Sequence, residues 1–286
     1  MDRIERALTQ AVDASIRPAS PPRLGDAMRF AVFPGGARVR PRLCLAVALA
    51  CGDDQPAVSD AAAVAIELLH CASLVHDDLP CFDDADLRRG KPSVHVQFEE
   101  RIAILAGDAL IVLAFETLAR GACGAPHRLA PLVSTIAAAT GMPWGIVAGQ
   151  AWECEPQVEL VDYHQAKTGS LFAAAATAGA LAAGAPAEPW QMLGERLGEA
   201  YQVADDIRDV VASVATLGKP AGRDAALGRP SVVQTLGADG ARQYFATLMD
   251  AAAASIPECP GAGALRELVR RESQRLLPQG TVLAAG

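Results

Sequence analysis

Aromatic side chains make up only 5% of this 286-residue chain, which is sparse for the pleated, half-buried surfaces of a β sandwich. Basic charge is short as well. Against 33 Asp and Glu stand 25 Lys and Arg, a formal net charge of -8, and a nucleic-acid partner would normally demand a basic stripe. Seven cysteines are an odd number with no close paired spacing. They read as reduced thiols, not as a disulfide framework or a zinc site. The opening Met1-Asp2-Arg3-Ile4-Glu5-Arg6 leads into an amphipathic helix and has no signal-peptide core. Apolar stretches such as Leu171–Ala185 fall short of the roughly 18 to 20 uninterrupted residues of a membrane span. These absences predict a cytoplasmic protein that is not an integral membrane protein.

What the chain has in quantity is Ala and Leu, within a hydrophobic content of 51%, and that favours tightly packed helices. Breaks fall at Pro18-Ala19-Ser20-Pro21-Pro22 and Phe33-Pro34-Gly35-Gly36. A helix after Arg40-Pro41 runs to about Cys51, and Ser59 or Asp60 is placed to cap the next one. That helix reaches His76-Asp77-Asp78, where Pro80 forces an end, so Asp83 reaches back from a loop. Further helical runs cover about 103–120, 127–141, 163–179, 189–213, 231–254 and 263–277. A strand is conceivable only for short pieces such as Val94–Phe98. The chain therefore reads as one all-α domain over residues 1–286.

Two acidic clusters interrupt this apolar background: His76-Asp77-Asp78-Leu79-Pro80-Cys81-Phe82-Asp83-Asp84 and Asp205-Asp206-Ile207-Arg208-Asp209. Asp205 and Asp209 are four apart and share a helix face, where like charges repel unless a cation bridges them. The flanks Leu197, Tyr201, Val203, Ala204, Ile207 and Val210 are apolar or aromatic, which disfavours a plain solvated face. A pair of such sites suggests hard metal ions holding an anionic substrate between them. Neither cluster has the spacing of an EF-hand. Positive charge is local, at Arg38, Arg40 and Arg42 and at Arg88, Arg89 and Lys91.

With these motifs the chain resembles the all-helical trans-prenyltransferases, the short-chain polyprenyl diphosphate synthases. It is most similar to bacterial geranylgeranyl diphosphate synthases of carotenoid and bacteriochlorophyll pathways. Besides the two aspartate motifs, the resemblance rests on Gly35–Pro41, Arg88–Pro92, Leu105–Ala109, Gly149-Gln150, Lys167-Thr168-Gly169 and Tyr201–Asp209, and it spans nearly the whole chain. It implies an isoprenoid synthase fold, a helical bundle around a central cavity, and a homodimer. Asp77, Asp78, Asp83, Asp205 and Asp209 would hold magnesium, three ions with manganese able to substitute, while Asp206 assists. Arg88, Lys167, Thr168, Gln202 and Lys219 match positions that hold the allylic diphosphate. Gly36, Arg40, His70 and Arg89 match a metal-free site for isopentenyl diphosphate, with Arg38 completing the basic field. Arginine suits that role because its fork engages phosphate oxygens bidentately. His76 reads as structural.

The family's Gly-Gly-Lys-Arg is Gly35-Gly36-Ala37-Arg38 here, which removes a lysine that normally touches isopentenyl diphosphate. Arg229 stands where lysine is commoner, and Phe98-Glu99-Glu100 where Phe-Gly-Glu is usual. Ala72, five residues before Asp77, and Ser73 are small where enzymes that stop at fifteen carbons carry a bulky aromatic, and Leu69 lies one turn deeper. The resemblance thus implies a C20 product, with farnesyl diphosphate as the alternative. A non-catalytic partner of the same fold and a terpene cyclase are the other readings. Intact aspartate motifs count against the first, and the basic site at Arg40, His70 and Arg89 against the second.

Overall fold

The computed structural model describes residues 2–33, 35–156, 163, 165–211 and 231–277, with backbone alone at 209 and 211. The described residues form an all-α bundle with one small hairpin. Helix α1 (Arg3–Ser15) buries Ile4, Leu8 and Val12, an i, i+4, i+8 stripe. Helix α2 (Pro22–Val32) starts on Pro22, whose fixed φ suits a first turn. Helix α3 spans Val39–Ala50 with Pro41 in its first turn. Helix α4 (Pro56–Asp77) begins on Pro56, a turn before the expected caps Ser59 and Asp60. Those residues serve another purpose: Arg3 donates to Asp53, Asp60 and Ser59, tying α1 to the start of α4.

α4 is buried along most of its length, from Val58 to Asp77, and is the central rod of the bundle. Strands β1 (Leu87–Arg88) and β2 (Lys91–Pro92) follow its acidic end. Val94–Phe98, an example of a piece conceivable as a strand, is instead the short helix α5. Helix α6 (Glu100–Gly121) then packs against α4, and α7 covers Leu129–Thr140. Helix α8 (Ile146–Trp152), too short to leave a periodic signature, was not foreseen from the sequence. A π-helical turn, Gln165–Gly169, runs into α9 (Ser170–Ala182). Helices α10 (Glu188–Val211), α11 (Val232–Ala254) and α12 (Ala262–Leu276) complete the described chain.

By length and composition α4 and the stretch 100–124 could cross a membrane. Both are packed into the bundle: 78% of the α4 window is buried, against 39% for the second, whose outer face stays open.

Candidate active site

Asp77 is the last residue of α4, and Asp78 is its C-cap. Pro80 cannot continue the helix, and the chain folds back over the helix end. Asp83 N–H donates to the Asp77 carbonyl at 2.9 Å, and Ala85 N–H to that of Asp78 at 3.1 Å. The hairpin follows, with positive φ at Arg89 (55°) and Gly90 (75°), as a two-residue turn matching the strand twist demands. Arg88 on β1 donates through Nε to Asp78 at 2.9 and 3.1 Å and through its terminal nitrogen to the same carboxylate. Burial would lower the Arg88 pKa, but Asp78, Asp77 and Asp83 outweigh it and raise it. One guanidinium, hydrogen-bonded to Asp78 and 3.8 Å from Asp77, thus ties these two carboxylates of the first cluster together.

The π turn links this cluster to the second. A π bulge inserts a residue into the helical ladder and re-aims side chains, often at functional sites. Lys167 Nζ lies 3.5 Å from Asp77 Oδ1 and 2.8 Å from Glu153 Oε1. Thr168 Oγ1 donates to Gln202 Oε1 at 3.3 Å, and Gln202 Nε2 to Asp206 Oδ1 at 3.1 Å. Consecutive residues therefore touch α4 on one side and α10 on the other. Gly149 permits the approach: a Cβ there would lie 2.5 Å from the Lys167 backbone nitrogen. Asp205 is half exposed and paired with Arg208. Asp206 is buried, and its Oδ2 accepts from Val232 N–H at 2.9 Å, so it anchors the start of α11. The side chain of Asp209, Lys219 and Arg229 lie outside the described residues.

About two turns before Asp77 on α4, and on nearly the same helix face, His70 marks a basic site. Arg40 NH1 is 3.4 Å from His70 Nε2, and the guanidinium stacks over Phe172 at 4.6 Å. Its buried Nε has no hydrogen-bond partner among the described residues, an opening for an anion. His70 is held well below the usual histidine pKa by burial and by Arg40, Arg89, Arg88 and Arg38, so it is neutral near pH 7. Gly36 leaves room for Arg89, whose guanidinium carbon would lie 2.5 Å from a Cβ at that position.

Arg38 departs from expectation. Only 2% exposed, it donates to Glu5, Glu67 and the Val32 carbonyl at 2.7–2.8 Å, an inward tie and not an open phosphate ligand. Arg40 and Arg89 are the members of the predicted basic field that remain turned to the site. Residue reasoning also missed Glu153 and Tyr163, whose Oη donates to Glu153 at 2.5 Å. Glu153 holds Lys167 while Gln150 donates to the Ser73 carbonyl at 2.9 Å and to Asp77 at 3.4 Å. The spacing of Gln150 and Glu153 on one helical turn was the available signal.

The donor chemistry fits magnesium. The candidate ligands are all carboxylate oxygens, and no group of three or more forms a closed cage among the described residues. Magnesium commonly takes one or two carboxylates and completes its shell with water and substrate phosphate.

The description "Polyprenyl synthetase" matches residues 21–259, and the chain belongs to that family. It is a prenyltransferase by family and by structural likeness. The geranylgeranyl diphosphate synthase of Cereibacter sphaeroides is 56% identical over 276 residues, 96% of each chain. That of Rhodobacter capsulatus is 52% identical over 275 residues, covering 96% of this chain and 95% of the relative. Among solved structures, geranyltransferase from Helicobacter pylori, complexed with magnesium and isoprenyl diphosphate, superposes with a TM-score of 0.82 at 31% identity. It covers 96% of this chain and 95% of its own. An FPP/GFPP synthase from Zymomonas mobilis gives 0.79 at 31% identity, covering 94% and 97%.

Proposed function

We propose that the protein is a geranylgeranyl diphosphate synthase. In the presence of magnesium it joins isopentenyl diphosphate head-to-tail to dimethylallyl, geranyl and farnesyl diphosphates, stopping at C20. The observation that carries the reading is the pairing of two acidic clusters, linked through the π turn, with a metal-free basic site built on Arg40, His70 and Arg89.

Asp77, Asp78, Asp83, Asp205 and Asp209 are the residues that would hold the metal, which when bound neutralises charge developing on the departing diphosphate. Arg88, Lys167, Thr168, Gln202 and Lys219 bind and orient that diphosphate, and Arg229 adds positive charge beyond the second motif. Donors fixed before reaction cost no reorganisation as charge moves onto oxygen. Glu153 and Tyr163 keep Lys167 in place. Arg40, His70 and Arg89 present isopentenyl diphosphate, with Gly36 as the floor of that site. Asp206 positions α10 against α11. Ala72 and Ser73 leave room for a fourth isoprene unit above Leu69. The enzyme works as a cytoplasmic homodimer.

Incubation with radiolabelled isopentenyl diphosphate and a series of allylic diphosphates tests the reading. Elongation to C20 is the expected outcome. Hydrocarbon release would indicate a cyclase, and no reaction a partner subunit. Asp77→Ala, Asp78→Ala and Asp205→Ala should each lower turnover by about 10² or more in saturating magnesium. Near-normal kcat in all three would remove the proposed clamp.

A further inference from the structure

We propose that Lys91 binds the diphosphate of the isopentenyl substrate from the hairpin, supplying the ammonium that the chain lacks at Ala37. This rests on the synthase reading above. Arg88 and Lys91 are directly opposed in the two-stranded ladder, so their side chains leave the same face of the hairpin. Arg88 leaves it toward Asp78. Lys91, an exposed residue, lines a cavity of about 150 Å³ whose walls also include Gly35, Cys71, Asp78, Arg88 and Arg89.

Three cations thus face one carboxylate there, and Asp78 is already taken by Arg88. Among the described residues neither Arg89 nor Lys91 has an ion pair or a side-chain hydrogen bond. Arg89 rests against Gly36, and Gly35, Arg89 and Lys91 line the same cavity. Ala37, next in that turn, is exposed and offers no side-chain donor. Two unpaired cations on one cavity wall, one of them the Arg89 that also acts on His70, make an uncompensated positive surface, and a diphosphate is the anion of matching charge that the reaction brings. A hairpin of two-residue strands around a tight turn holds the lysine's backbone in a fixed place. Reach comes from its four-carbon stem.

The test is steady-state kinetics of wild type, Lys91→Met and Lys91→Arg with farnesyl diphosphate and magnesium saturating, alongside calorimetric titration of isopentenyl diphosphate in EDTA. Lys91→Met should raise the KM for isopentenyl diphosphate about tenfold and weaken metal-free binding by a similar factor, with the KM for farnesyl diphosphate unmoved. Lys91→Arg should restore both, and Ala37→Lys placed in the Lys91→Met protein should recover most of the loss. Unchanged binding in Lys91→Met, or an equal rise in KM for both substrates, would overturn the assignment and leave Lys91 a solvated hairpin residue. A wild type that binds isopentenyl diphosphate yet elongates nothing would instead overturn the synthase reading on which the assignment rests.

Discussion

Three arginines, at positions 38, 40 and 42, look like one basic cluster in the sequence, but the start of α3 sends them to three destinations. Arg38 caps the helix in a left-handed conformation (φ 52°) and turns inward to Glu5 and Glu67. Arg42 is exposed and pairs with Asp2. Arg40 alone reaches His70. Which cations a neighbour consumes is a tertiary fact, and residue type cannot carry it. His70 shows the consequence. Its folded pKa lies well below the ordinary value because of burial and the surrounding arginines, whereas the unfolded chain titrates near pH 6.5. Below that pH the unfolded state takes up a proton that the native state refuses, so this group lowers stability as pH falls through about 6.5. Thermal melts at pH 7.5 and 5.5 should therefore show a larger drop in Tm for wild type than for His70→Gln, which has no titrating group at the position. An equal drop in the two proteins would mean that His70 is not held neutral by its surroundings.

At the scale of elements, long periodic helices were legible and short irregular ones were not. The run 103–120 is found within α6 at Glu100–Gly121, and 231–254 as α11 at Val232–Ala254. Those spans bury an apolar stripe, and the 3.6-residue period records it. Helix α8 has seven residues, too few to show a period, and the π turn fell inside the expected run 163–179 with nothing in the pattern to mark its bulge, yet they carry Gln150, Lys167 and Thr168. The hairpin was hidden for a related reason: its strands are two residues each. Both aspartate motifs could be read because carboxylates in apolar sequence are conspicuous, while Glu153 needed the fold to bring it to Lys167.

Helix α6 carries its own expectation. One stripe, Ala103, Ala106, Gly107, Leu110, Ala114 and Leu118, is buried, while Leu105 is 51% and Val112 67% exposed on the opposite side. Apolar side chains left open along a long helix mark an association surface. Sedimentation equilibrium at micromolar concentration should give a dimer, and Leu105→Glu with Val112→Glu should weaken it by about tenfold or more. A monomeric wild type would refute the homodimer.

Across the whole molecule, product length becomes a question of how far a prenyl chain can travel along α4 before the bundle closes. With the diphosphate end held near Asp77, as proposed above, the tail would run back toward the helix N-terminus. Leu69, Ser73 and Asp77 fall on one face at four-residue steps, and the eight residues from Asp77 to Leu69 span about 12 Å. Ser73 adds little bulk, and its hydroxyl is turned back to the His70 carbonyl at 2.8 Å. Ala72, beside it, is 1% exposed and contributes a single methyl group. Leu69, also 1% exposed, is the bulkier aliphatic side chain one turn deeper, and in the proposed reading it helps close the bottom of the channel. A tyrosine at position 72 would bring the floor up by about one turn, since a close-packed interior has no spare volume into which the ring can retreat. Ala72→Tyr should therefore move the main product from C20 to C15, with the isopentenyl diphosphate KM little changed because Arg40 and Arg89 are untouched. Chromatography of dephosphorylated products decides the matter. A wild type that stops mainly at C15, or a tyrosine variant that still makes only C20, would show that chain length is set elsewhere in the bundle.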